Sequence, residues 1–335
     1  MILKRAILAL LLLCAAALPE TAMAADRKIM AYYEDSLAAL KADAAIVDQL
    51  PTDSFNVSGA GAISGVAPRQ ALAVARAHGM QTFATISNYG ATDFSPAIVD
   101  ALLNKPAAIQ AFVANGLKLI AANGYSGVNI DFEAIPPGDR AAYSAFCRAL
   151  YKAVHAAGKL VALSIPAMQK DDPANDWFGA YHLAALGKVT DIVQYMTYDE
   201  NGPWGAPGPV AGLDWVKICV RYAASVAPPS KISLGLPAYG YDWNLTAGTG
   251  DSIDWKIVPA LIAQTHAAPA WDAKSSSPYF RYTAKNGAKH VVWYENARSI
   301  TLKSALVPAR DLAGVSVWVL GADDADFWKA VRAGF

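Results

Sequence analysis

Two carboxylates, Asp131 and Glu133, are the side chains whose type and spacing fit chemistry best. They belong to the run Tyr125-Ser126-Gly127-Val128-Asn129-Ile130-Asp131-Phe132-Glu133, in which Val128, Ile130 and Phe132 alternate with Asn129, Asp131 and Glu133. A period of two predicts a β-strand with one apolar face and one face bearing an amide and two acids. At about 3.3 Å per residue, the two acids stand about 7 Å apart along that face. Neighbouring like charges resist ionising together, which keeps one carboxyl protonated at neutral pH, as a general acid must be. Glu133 is the candidate acid, and Asp131, one position inward, supplies the charge that raises its pKa. Ile135-Pro136-Pro137-Gly138 ends the strand, and Asp139 is placed to cap a following helix.

Two other readings of the acids are weaker. An exposed edge strand would be expected to carry Lys or Pro and would seldom feed a crossover helix. A site for a hard cation needs more oxygen ligands, and Asp199 is the one obvious addition. His78, His155, His182, His266 and His290 fall in predicted helices, loops or strand starts. Neither a metal nor any other cofactor is expected.

The elements that position this strand follow from the rest of the chain. Met1 to Ala24 has a basic start (Lys4, Arg5), a short apolar core and an Ala22-Met23-Ala24 cleavage pattern, and reads as a signal peptide. Its apolar core falls short of the 20 or so residues that span a bilayer. The expected mature chain, residues 25–335, is therefore exported to the periplasm or beyond, free of the membrane and monomeric. The whole chain carries 28 Lys and Arg against 28 Asp and Glu. That balance argues against nucleic acid or an anionic membrane surface as partner. Cys147 and Cys219 occupy apolar positions of predicted helices and read as buried thiols.

Strands are predicted over 28–33, 54–60, 81–87, 125–133, 160–165, 192–198, 232–236 and 314–319, with helical patterns between them, including 37–48 and 68–77. The helix after the acidic strand has Tyr143, Phe146, Cys147, Leu150, Tyr151 and Val154 on one face and ends at Gly158. Eight alternating units without a phosphate-binding Gly fingerprint predict an α/β fold, a (β/α)8 TIM barrel. The rhythm breaks once, between strands seven and eight. There Tyr279–Tyr282 and His290–Tyr294 look like a hairpin around Asn286-Gly287, so a small α+β insertion is expected at about 244–297.

Ser126-Gly127-Val128-Asn129-Ile130-Asp131-Phe132-Glu133 resembles the DGxDxDxE signature of family 18 glycoside hydrolases, the chitinase group. The continuation into Ile135-Pro136-Pro137 is most similar to the bacterial branch of spore-cortex-lytic N-acetylglucosaminidases. The resemblance implies an N-acetylglucosamine-containing polysaccharide as substrate, peptidoglycan before chitin. An ordinary retaining glycosidase sets two carboxyls about 5 Å apart on opposite sides of the bond, and family 18 is a known substrate-assisted exception. Acids at i and i+2 of one strand are consistent with that exception, because both approach from one side. By the same resemblance, Asp131 orients the sugar's 2-acetamido group, which acts as the nucleophile.

Gln194-Tyr195-Met196-Thr197-Tyr198-Asp199 looks like the family's MxYD element. Tyr198 is then expected to bond the acetamido carbonyl, with Met196 and Asp199 lining the same pocket. Trp318 matches the tryptophan that floors the sugar site next to the cleaved bond, where a ring face suits a pyranose. Tyr32, Tyr239 and Trp243 are candidates for the cleft wall, with a plain core role as the alternative for each. Three departures stand out. Ser126 replaces the signature's leading Asp, and Asn129 stands where most members carry the next one, leaving amide donors to fix Asp131. The third strand ends Thr85-Ile86-Ser87-Asn88, without the family's double-Gly element. The rival from another class is a non-catalytic, lectin-like glycan-binding protein on the same fold, against which Asp131, Glu133 and Tyr198 all count.

Overall fold

Short runs of branched and aromatic residues form the staves of a closed parallel barrel: β1 Lys28–Ala31, β2 Gln49–Val57, β3 Gln81–Ser87, β4 Gly127–Asp131, β5 Leu160–Pro166, β6 Ile192–Met196, β7 Ile232–Pro237 and β8 Gly314–Trp318. The computed structural model describes residues 27–335, so the leader reading of Met1–Ala24 lies outside the described residues. Each strand lies beside its predecessor in parallel, and β8 returns to β1. Closure is narrowest between β1 and β2, where Met30 lies opposite Gln49 and an isolated bridge joins Tyr33 to Thr52. Helices cover the outside, so both faces of each strand are buried, which is why most strands read as continuous apolar runs. The expected (β/α)8 barrel is what forms. No single helix among the described residues is long and apolar enough to cross a membrane.

Several boundaries differ from the sequence reading. The first helix is Leu37–Asp43 and stops five residues before Asp48. Asp48 is drawn to the sheet, its carboxylate accepting from Ile29 N at 2.8 Å and its amide donating to Ile29 O. β2 starts at Gln49 rather than Ser54. Pro51 reads as a breaker, yet its carbonyl accepts from Tyr33 N at 2.9 Å and keeps it in the ladder. β6 ends at Met196, two residues before Tyr198, because Thr197 turns its hydroxyl to Gly235 O at 2.7 Å. Asp139 does occupy the N-cap position of helix Arg140–Ala156. Its side chain, however, accepts from Asn104 Nδ2 at 2.8 Å instead of capping.

Between β7 and β8 the chain builds a second, antiparallel sheet of five strands, beginning with Tyr239–Asn244 and including Ser277–Thr283 and Lys289–Trp293. It starts at Tyr239, directly after the barrel strand, rather than near residue 244. Thr283 pairs with Lys289 around Asn286-Gly287, and Gly287 takes the positive φ (85°) of that turn. Cys147 and Cys219 are buried free thiols, as expected.

β4 is anchored from outside. Phe132, immediately after it, packs against Phe112 (ring centroids 5.9 Å) and Phe146 (5.6 Å), from helices Pro106–Asn123 and Arg140–Ala156. All three rings are fully buried. Tyr143 and Tyr181 extend the cluster edge to face at 5.5 Å, and the Tyr181 hydroxyl donates to Phe132 O. Phe132→Ala would open a hole in this cluster and should cost about 3–5 kcal/mol in urea unfolding. A loss below about 1 kcal/mol would show that the cluster does not anchor the acidic strand.

Candidate active site

β4 ends at Asp131, so Glu133 is not a strand residue as the alternation predicts. The ladder stops because other groups take its backbone. Phe132 O is claimed by Tyr181, and Glu133 is held by a side chain of the neighbouring strand. Asn88, fully buried just past β3, accepts from Glu133 N at 2.9 Å and donates to Glu133 O at 2.9 Å. One amide thus imitates a strand neighbour and fixes Glu133 beyond the sheet. Ala134 follows with a positive φ of 52°, turning the chain away. Asn88 stands out in the sequence only as a departure from the double-Gly element; its work is visible once β3 and β4 lie side by side.

Asp131 is 6% exposed on the inward face, where burial first and the charge of Asp53 second push its pKa up to about 7, opposed by a hydrogen bond from Ser164. Glu133 is raised well above the usual carboxylate range by burial, then by Asp131, Asp199, Asp93 and Asp53. Acids surround acids here. The shift favours the protonated form of Glu133, which suits a general acid.

Asn129 lies below Asp131, but its amide does not reach that carboxylate. Its Nδ2 donates to Ser164 Oγ at 3.0 Å, and its Oδ1 accepts from the Tyr32 hydroxyl. Ser164, from β5, is the residue that contacts Asp131. The expectation that Asn129 fixes Asp131 directly is thereby corrected: the link passes through Ser164. This serine is hidden in the apolar run of β5, and only the β4–β5 register, with Ile130 beside Leu163, brings it level with Asp131.

Tyr198 enters from the loop after β6. Its hydroxyl accepts from Gln194 Nε2 at 3.2 Å, which leaves its own proton free to donate outward. Met196, two residues above Gln194 on the same side of β6, is half-buried and packs on the core. Asp199 has a positive φ (60°), and its Oδ1 accepts from Tyr239 (2.6 Å) and Tyr241 (2.8 Å) of the second sheet. Desolvation in the cleft raises its pKa, and the two tyrosine bonds oppose that. Trp318, half-exposed at the end of β8, leans on Tyr32 with ring centroids 5.3 Å apart.

Asp131, Glu133, Asn129, Tyr32, Tyr198 and Asp199 are thus drawn together at the carboxyl end of the barrel, with Trp318 leaning on Tyr32 and Tyr239 closing the side. Trp243 continues the row of Tyr239 and Tyr241 along the same face of their strand. It is buried, stacks edge-on with Tyr241 at 5.7 Å and donates to Gly205 O at 3.3 Å. Among the described residues, no group of three or more His, Cys, Asp or Glu is arranged to hold a metal ion.

The profile of the glycosyl hydrolases family 18 matches residues 52–323. The chain is 39% identical over 291 residues to an uncharacterized glycosylase, YvbX, of Bacillus subtilis, covering 86% of this chain and 85% of that one. A chitinase structure from Chromobacterium violaceum superposes with a TM-score of 0.88 at 38% identity, covering 92% of this chain and 98% of that one. The spore cortex-lytic enzyme SleL of Bacillus megaterium gives 0.86 at 26% identity, covering 92% of this chain and 74% of its own.

Holding Asp131 in this setting has a thermodynamic consequence. Its folded-state pKa lies above the unfolded value of about 3.9. The stability contributed by its protonated form is full below about pH 4 and is lost as pH rises through about 7. Asp131→Asn, which cannot ionise, should be more stable than the parent at pH 8 by about 2 kcal/mol or more, a tenfold change in proton affinity being worth about 1.4 kcal/mol. The gap should close towards pH 4. Unfolding curves showing no pH dependence in the gap, or a less stable variant at pH 8, would contradict the assignment.

Proposed function

The chain belongs to the glycosyl hydrolases of family 18, and on that premise we propose that it cleaves β-linked N-acetylglucosamine in a cell-wall polysaccharide, peptidoglycan first and chitin second, with retention of configuration. The observation that carries the reading is the one-sided acid pair. Burial and the charge of Asp131 favour the protonated form of Glu133, and tyrosines and Trp318 line the same cleft. The signal-peptide pattern of Met1–Ala24 supports action outside the cytoplasm. The likeness to a Bacillus spore cortex-lytic enzyme supports peptidoglycan, and that to a bacterial chitinase keeps chitin as the second substrate.

In this scheme the Glu133 carboxyl proton passes to the glycosidic oxygen as the bond from that oxygen to the anomeric carbon breaks. The carbonyl oxygen of the sugar's 2-acetamido group forms the new bond to the same carbon, closing a five-membered ring. Asp131 holds the acetamido N–H and keeps the group in its attacking pose. Tyr198 gives its free proton as a hydrogen bond to the acetamido oxygen. Water, losing a proton to the Glu133 carboxylate, then opens the ring from the face the leaving group left. Two displacements restore the original configuration. An intramolecular nucleophile held in place can lower the barrier by roughly 7–11 kcal/mol at best.

Three variants separate the roles. Glu133→Gln should fold and still bind glycan while losing about 10²–10⁴ in turnover of purified sacculi or chitin oligosaccharides, read by mass spectrometry of products. Asp131→Ala should also lose activity, and Tyr198→Phe less, since it removes one bond to the developing charge. A substrate with a free 2-amino group next to the cleaved bond should be cut negligibly. Near-parental turnover by Glu133→Gln, or equal cleavage of acetylated and deacetylated substrate, would refute the scheme.

A further inference from the structure

Asp53, which stands outside the acidic strand and its signature, belongs to the same chemistry. In parallel strands, residues side by side in the ladder point to the same face. Asp53 on β2 lies beside Thr85 on β3, and Thr85 beside Asn129 on β4. Asn129 points inward, since it bonds Tyr32 and Ser164 across the lumen. Asp53 and Thr85 therefore face the lumen in the same layer, directly beneath Asp131. The ladder shifts register immediately after Asp53, so that Phe55 returns to the outer face, where it meets Tyr125 edge-on at 6.2 Å. Such a bulge re-aims a side chain beside a site.

Two observations indicate that this layer is built for more than packing. The Thr85 hydroxyl, between Asp53 and Asn129, is fully buried and has no hydrogen-bond partner. Burial raises Asp53 without any hydrogen bond or cation to oppose it. The titratable groups around it are Tyr32 and Glu34 from the segment after β1, Asp131 at the end of β4 and Glu133 just beyond it. β3 contributes only hydroxyls. Among the described residues, no Lys or Arg figures in the influences on Asp53.

We propose that Asp53 is the carboxyl group that titrates as a pair with Asp131, taking the part that the amide of Asn129 leaves open, and that Thr85 is the hydroxyl available to bridge them. Asp53 is a positioning residue: it touches no substrate, and it acts by holding negative charge below Asp131. Its consequence for turnover rests on the glycosidase reading; the pairing itself does not.

The test is a carboxyl-carbon NMR titration of the full chain labelled at aspartate. In the parent, Asp53 and Asp131 should titrate together over overlapping, broadened ranges. Asp53→Asn should lower the Asp131 midpoint by about one pH unit or more, because a like charge has gone. An unchanged midpoint in the folded variant overturns the proposal. Should Asp53→Asn fail to fold, Asn129→Asp decides instead: a second acid in the layer, between the two partners, should raise the midpoints of Asp53 and Asp131 together, and an unmoved Asp53 overturns the pairing. With any substrate the parent turns over, Asp53→Asn should shift the basic limb of kcat/KM to lower pH, while Asp53→Glu restores it. A uniform loss at every pH with both limbs fixed would mean a merely structural role. If the parent cleaves no N-acetylglucosamine polymer, the functional reading fails while the NMR result still stands.

Discussion

Burying carboxyl groups without cations is the constraint on which the rest of this molecule depends. Asp131 and Glu133 are raised by burial and by other acids, and the influences on them include no Lys or Arg. Left to itself, such a cluster would neutralise, draw in water or splay apart. Three supports hold it. Outside the barrel, Phe132 is locked into an aromatic cluster. Beside it, the Asn88 amide clasps both backbone groups of Glu133. Beneath it, Tyr32, Asn129 and Ser164 form a polar layer that leads to Asp131. Backbone and neutral hydrogen bonds fix the geometry and leave the charges unbalanced, so the protons stay where acid chemistry uses them.

The division of labour between the two sheets follows the same logic. The barrel supplies the acids and the floor, since its strand ends converge on one mouth. The antiparallel sheet after β7 supplies a wall of Tyr239 and Tyr241, whose hydroxyls both bond Asp199 Oδ1. Both bonds fall on one oxygen and tie Asp199 to that wall.

Much of this was legible in the sequence, for identifiable reasons. Period-two alternation in Val128–Glu133 carries the inward placement of Asp131, and the alternation of apolar runs with helical patterns carries the barrel. Boundaries were lost wherever side chains replaced backbone partners: Asn88 ended β4 early, Thr197 shortened β6 and Asp48 shortened the first helix. Asp53 was hidden in Pro51-Thr52-Asp53-Ser54, which reads as a break before a strand and becomes part of one when β1, β2 and β3 align.

In the proposed mechanism the acid pair works from one side of the sugar and the substrate's acetamido oxygen from the other. Proton NMR of the first sugar released, recorded before the anomers equilibrate, tests this most directly. Displacement by the acetamido oxygen and then by water predicts a β-anomer as the initial product. An α-anomer appearing first would mean a single displacement by water, and would contradict the roles given to Asp131 and Glu133.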